Sequence, residues 1–107
     1  MYVSEHDVEN LAAWSVRRVA QAMKIETDWR STIELTLTIE ERDPELAALL
    51  SSFLDAYRAW FDEHRQIEAT GRQGNLSSDE QVRLRERIDA RDRTRAALSR
   101  RVSELER

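Results

Sequence analysis

The chain has 107 residues and a formal net charge of −4, with 36% charged and 40% hydrophobic residues. Since a typical domain has about 25% charged residues, the composition predicts a single small domain, residues 1–107, with narrow apolar stripes and a large charged surface. The sequence has no cysteine, which excludes disulfides, a thiolate zinc site and a cysteine nucleophile.

The first predicted helix covers about residues 5–24 and begins at Ser4, a favoured cap residue. Acidic residues in its first turn suit the positive end of the helix dipole, and its apolar residues recur on one face. Trp14 and Arg18 lie at the edge of that face. Because Trp and Arg are favoured at binding hot spots, we expect Trp14, Arg18 and Trp29 to face a partner.

The next segment, residues 32–40, alternates apolar and polar residues. Its apolar members are Ile33, Leu35, Leu37 and Ile39. A period of two predicts a strand, although a helix buried on both sides by its neighbours is the alternative. A lone strand needs a partner. We expect it to pair with the same segment of a second subunit, which would make the protein a homodimer; pairing with Tyr2-Val3 is the shorter alternative.

Two long helices complete the predicted fold. Asp43-Pro44-Glu45 is typical of a helix start and predicts a helix over about residues 44–70, closed by Gly71 or Gly74. Ser77 and Glu80 have capping-box spacing and predict a helix over about residues 78–106. The short connection predicts an antiparallel hairpin. The expected fold class is therefore all-α, a long hairpin with the first helix packed on it.

Arg91 and Arg95 occupy two positions of the heptad repeat in the last helix, where leucine or isoleucine would be typical. The facing part of the preceding helix offers aromatic side chains, namely Phe53, Tyr57 and Trp60. We expect the two arginines to stack on these rings. The alternatives are a salt bridge to an acid of the first helix or of another subunit, and a pocket that binds a carboxylate or phosphate.

The segment 83–101 contains eight arginines against Glu86, Asp89 and Asp92. An arginine-rich helix is one signature of contact with a phosphate backbone. Here the acids are interleaved with the arginines, which is also typical of a solvated helix face, and the mild negative net charge does not favour nucleic acid. Nucleic-acid binding through this helix is therefore the first alternative function.

The sequence contains no catalytic triad, phosphate loop or dinucleotide fingerprint, and its two histidines are too few for a histidine metal site. Two runs resemble parts of enzymes. Arg58 and His64 are similar to the arginine–histidine pair of HEPN-type helical ribonuclease domains, but they point to different faces of one predicted helix. The run from Leu84 resembles the first helix of the helical chorismate mutases, with Val102 where a second arginine is expected.

The start of the chain is acidic and has no apolar run, so we expect no secretory signal. No apolar stretch approaches the roughly 20 residues that span a bilayer. We therefore expect a cytoplasmic protein without membrane contact. The 16 arginines and one lysine suggest a GC-rich bacterial or phage genome.

These observations predict a non-catalytic helical protein–protein interaction module. It would act as an accessory subunit, regulator or inhibitor in a larger bacterial or phage assembly, would self-associate, and would need no cofactor or metal. The second alternative is a small helical enzyme with an arginine-lined anion pocket.

Overall fold

The computed structural model describes residues 4–71 and 74–107, and in these ranges the chain forms four helices and no strand. The helices are α1 (Glu5–Ala22), α2 (Thr32–Arg42), α3 (Pro44–Thr70) and α4 (Ser78–Leu105). The predicted all-α class is confirmed. The alternative partner strand at Tyr2-Val3 lies outside the described residues.

The three predicted helix starts are confirmed by their caps. The Ser4 hydroxyl accepts from the Asp7 N–H, and Asp7 accepts from the Ser4 N–H at 2.9 Å. Hydrogen bonds from the Ser4 backbone and then from its hydroxyl lower the pKa of the Asp7 carboxyl, because they stabilise its charged form. Asp43 caps α3, and Ser77 with Glu80 forms a capping box on α4. These caps satisfy backbone donors that the first helical turn leaves unpaired.

α1 ends two residues before its predicted end. The Lys24 N–H donates to the Gln21 carbonyl at 3.0 Å, and the Ile25 N–H donates to the Ala20 carbonyl at 2.9 Å. This pair of bonds is the Schellman motif, which requires a left-handed residue after the helix. Lys24 takes that conformation, with φ of 63°. The motif turns the chain sharply and buries Ile25 in the core.

The predicted strand over residues 32–40 is wrong, because these residues belong to helix α2. Its N-cap is Ser31, whose hydroxyl accepts from the Glu34 N–H at 3.1 Å. Two threonine hydroxyls bond along the helix: Thr36 donates to the Thr32 carbonyl and Thr38 to the Glu34 carbonyl. The Ser31 cap therefore satisfies a backbone N–H of the first turn, and the threonine hydroxyls find acceptors on the helix itself.

Helix α2 divides its four alternating apolar residues into two rows. Leu35 and Ile39 are fully buried, whereas Ile33 is 73% and Leu37 60% exposed. In a helix, residues four apart share a face, so an alternating pattern contains two opposite rows. The expected dimer strand of Ile33, Leu35, Leu37 and Ile39 is therefore wrong. The alternative of a helix is confirmed, but this helix is buried on one side only.

α3 and α4 run antiparallel along each other. Glu63 pairs with Arg83 at 3.0 Å near one end, and Asp43 pairs with Arg101 at 3.0 Å near the other. The hydrogen bond that Arg83 donates to Glu63 is the main cause that raises the pKa of Arg83 above its ordinary value, and the negative charge of Glu63 adds to it. α1 and α2 pack against the Asp43 half of this pair and enclose the core. α1 lies mainly on α2 and α3 and has less contact with α4, which leaves a gap between α1 and α4.

Candidate functional site

A groove of about 630 Å³ occupies the gap between α1 and α4. One wall is α1 from Leu11 to Val19, and the other is α4 from Arg91 to Glu106. Phe53 and Tyr57 of α3 also line it and form its floor. We call this site the α1/α4 groove.

The floor of the groove belongs to a chain of aromatic contacts along α3. The rings of Phe53 and Tyr57 meet edge to face with their centroids 6.1 Å apart, and the rings of Tyr57 and Trp60 do so with centroids 5.3 Å apart. Arg91 continues this stack, since its guanidinium carbon lies 4.5 Å from the centroid of the Trp60 ring. Its Nε also donates to Asp92 at 3.1 Å. The stack fixes the position of Arg91 at the groove wall by cation–π attraction and a hydrogen bond.

Arg95, one turn after Arg91, also lines the groove but is exposed. Across residues 4–71 and 74–107 its guanidinium has no ion pair. The other groove cation, Arg18 of α1, pairs with Glu106 and so links α1 to the end of α4. Uncompensated positive charge in the groove is therefore concentrated at Arg95.

Ser15 is the one polar residue that α1 buries at the groove. It is 4% exposed, and its hydroxyl oxygen has no hydrogen-bond partner in the part of the chain that the structure describes. A buried hydroxyl normally finds a partner, because its desolvation is otherwise uncompensated. Packing alone therefore does not account for a polar side chain at this position.

The groove brings together four of the residues selected from the sequence. Trp14, Arg18, Arg91 and Arg95 all line it, and Trp14 is 63% exposed. Trp29 lies elsewhere, in the connection between α1 and α2, where its side chain is fully exposed.

Sequence reasoning missed the roles of Ser15 and Glu106. Ser15 falls on the apolar face of the first helix, where a small serine gives no signal of a role in binding. Glu106 is 88 residues from Arg18 in sequence, so no local pattern could have indicated that pair.

The other candidate functional residues, Arg58 and His64, form structural contacts. Arg58 pairs with Glu5 and lies over the ring of Phe61 at 5.8 Å. The hydrogen bond that Arg58 donates to Glu5 is the main cause that raises the pKa of Arg58. The Nδ1 atom of His64 lies 3.3 Å from the Oε1 atom of Glu68. Only the Arg58–Glu5 pair joins two helices, α3 and α1, and none of these residues lines the α1/α4 groove.

Neither a metal cluster nor a membrane span is found among the described residues. No group of three or more His, Asp or Glu in residues 4–71 and 74–107 could hold a metal ion. In the same ranges, no helix has the length and apolar character needed to cross a bilayer.

No family of known proteins matches the sequence, and neither a characterised protein nor a solved structure is similar to the chain.

Proposed function

We propose that the chain is a non-catalytic protein–protein interaction module that holds an acidic amphipathic helix of a partner protein in the α1/α4 groove. In this role it would be a cytoplasmic accessory subunit, regulator or inhibitor within a larger bacterial or phage assembly. The observation that carries the proposal is a groove with aliphatic and aromatic side chains among its lining residues and an unpaired arginine, Arg95, at its wall.

The dimensions of the groove suit a short helix. At a rise of 1.5 Å per residue, the α1 wall from Leu11 to Val19 is about 12 Å long and the α4 wall from Arg91 to Glu106 about 22 Å. Two parallel helical walls over an aromatic floor would receive the apolar face of a third helix, as in helix-in-groove recognition. Trp14, exposed at the α1 wall, is the residue type most often found at binding hot spots.

The charges of the groove indicate an acidic occupant. Arg95 is free to form a charge-assisted hydrogen bond, which is stronger than a bond between neutral groups. Arg91 is held beside it over Trp60. A carboxylate entering the groove would meet both guanidinium groups, whereas a basic helix would be repelled.

The contacts of the arginine-rich helix favour protein over nucleic acid as the partner. Arg83 is paired with Glu63 and Arg101 with Asp43, so two of the eight arginines hold α4 against α3. Asp92 accepts from Arg91. Arginines used in this way contribute less to a continuous surface for a phosphate backbone.

The proposal can be tested with two matched alanine-based peptides of about 16 residues, a length at which isolated helices begin to be stable. Both carry two leucines four residues apart; the flanking residues are glutamates in one peptide and lysines in the other. Calorimetry should detect binding of the glutamate peptide only, and amide shifts should map it to Trp14 and Arg95. Arg95→Gln should weaken binding about tenfold, since it removes one charge-assisted hydrogen bond.

The matched control is Arg93→Gln, which removes the same charge from an exposed position of α4 outside the groove and should leave affinity unchanged. Equal binding of both peptides, or equal effects of the two arginine substitutions, would contradict the proposal. Binding of a short DNA duplex that both substitutions weaken alike would instead support the nucleic-acid alternative.

A further inference from the structure

The exposed side of α2 carries an apolar row that the fold does not cover. Trp29, Ile33 and Leu37 are four residues apart, and they are 100%, 73% and 60% exposed. Ile33 and Leu37 share a helix face, and Trp29 precedes them in the turn that leads into α2. Large apolar side chains grouped on a surface are typical of an interaction site. We call these three residues the α2 ridge.

The backbone holds Trp29 in an unusual conformation. Its φ is 68°, a left-handed value that is rare for a bulky side chain. The turn around it is tied to α1, because Arg17 donates to the Thr27 carbonyl at 3.2 Å and to the Arg30 carbonyl at 3.0 Å. Backbone strain that the surrounding contacts maintain is concentrated at functional positions. Here it keeps a tryptophan in solvent in the turn that leads into α2.

Acidic residues border the α2 ridge. Glu34 follows Ile33, while Glu40 and Glu41 lie three and four residues after Leu37 and so face the same side. All three are exposed, and none has an ion pair within residues 4–71 and 74–107. Two α2 ridges packed in parallel would bring these carboxylates together, which disfavours that pairing of α2 with α2.

The α1/α4 groove has the complementary properties, namely an aromatic floor and a free arginine. We propose that the partner helix is α2 of a second copy of this chain, whose ridge enters the groove while its glutamates meet Arg95 and Arg91. This inference rests on the proposed function of the groove. α2 is about 15 Å long, which lies between the lengths of the two groove walls.

The contact between ridge and groove must form between molecules. Among the described residues α2 packs on α1 and α3 but not on α4, so a molecule does not fill its own groove with its own ridge. Each copy therefore offers one ridge and one groove, and each contact joins two different surfaces. A chain with a disrupted ridge and a chain with a disrupted groove should then still bind each other, because the intact ridge of one fits the intact groove of the other.

Two variants of the full chain test this arrangement. The groove variant is Arg95→Glu, and the ridge variant is Ile33→Gln with Leu37→Gln. Because all three positions are exposed, both variants should keep the helical fold, which circular dichroism checks. By sedimentation velocity from about 10 μM to 1 mM, the wild type should self-associate, and each variant alone should associate at least about tenfold more weakly. An equimolar mixture should restore a one-to-one complex that does not extend further.

Arg93→Glu is the matched control, and it should associate as the wild type does. A mixture that stays monomeric while the wild type associates would overturn the inference, and so would a ridge variant that associates normally. A wild type that is monomeric at 1 mM would also overturn it, but binding of the glutamate peptide would then still support the groove. If the groove variant loses its helical signal, Arg95→Gln replaces it in the same test. If the ridge variant does, the single substitution Leu37→Gln replaces it.

Discussion

At the scale of single residues, Ser15 and Arg95 distinguish the groove from ordinary packing. Ser15 places an unpartnered hydroxyl among apolar neighbours, and Arg95 places an unpaired charge beside aromatic rings. The buried Ser15 hydroxyl reduces the stability of the isolated chain relative to an apolar side chain, whereas the Arg95 side chain is exposed to solvent. A bound partner would supply a hydrogen bond to Ser15 and a negative charge to Arg95.

Ser15→Ala should stabilise the protein by about 1 kcal/mol, because it removes a buried hydroxyl that has no hydrogen bond. Part of any gain would come from the higher helix propensity of alanine. Ser52→Ala, at an exposed position of α3, measures that part alone. Urea unfolding of the two variants should show a larger gain at Ser15. A net loss at Ser15 would show that its hydroxyl has a partner in solution.

At the scale of helices, the sequence was a good guide to the ends of three elements and a poor guide to the fourth. Caps are local, and the residues at Ser4, Asp43 and Ser77 indicated where α1, α3 and α4 begin. α2 was misassigned because alternation of apolar residues satisfies a strand and also supplies two opposite rows of a helix. Ser31 followed three residues later by Glu34 is capping-box spacing, and it was the signal that could have identified this helix.

The two rows of α2 should respond differently to truncation. Leu35→Ala should destabilise the chain by about 2–5 kcal/mol, as for other fully buried leucines. Leu37→Ala should change stability by less than about 0.5 kcal/mol, because its side chain is largely in solvent. Urea denaturation of both variants at low micromolar concentration measures the difference. Equal losses would mean that both leucines face one core, as a strand would require.

The candidate site was only partly predictable because it depends on how three helices meet. Residue type alone selected Trp14, Arg18, Arg91 and Arg95, and the heptad positions of the last two indicated an unusual environment. The gap between α1 and α4 has no sequence signature, since it results from α1 packing on α2 and α3. For the same reason, the sequence did not indicate that Trp14 lines the groove and Trp29 does not.

At the scale of the molecule, the fold is elongated, with extents of 47 × 25 × 20 Å. Its two unusual surfaces, the α2 ridge and the α1/α4 groove, belong to different helices, yet α1 contacts both α2 and α4. One is an apolar projection bordered by carboxylates, and the other is an aromatic cleft bordered by arginines. Complementary surfaces that one molecule cannot join by itself favour assembly between molecules.

The most direct measurement is an isotope-filtered NOE experiment on an equal mixture of ¹³C-labelled and unlabelled full-length chains, at a concentration where the wild type associates. Ridge insertion predicts intermolecular contacts from the methyl groups of Ile33 and Leu37 to the rings of Trp14 and Tyr57. Contacts between the α2 methyl groups of two copies, or none to the groove in an associated sample, would contradict it.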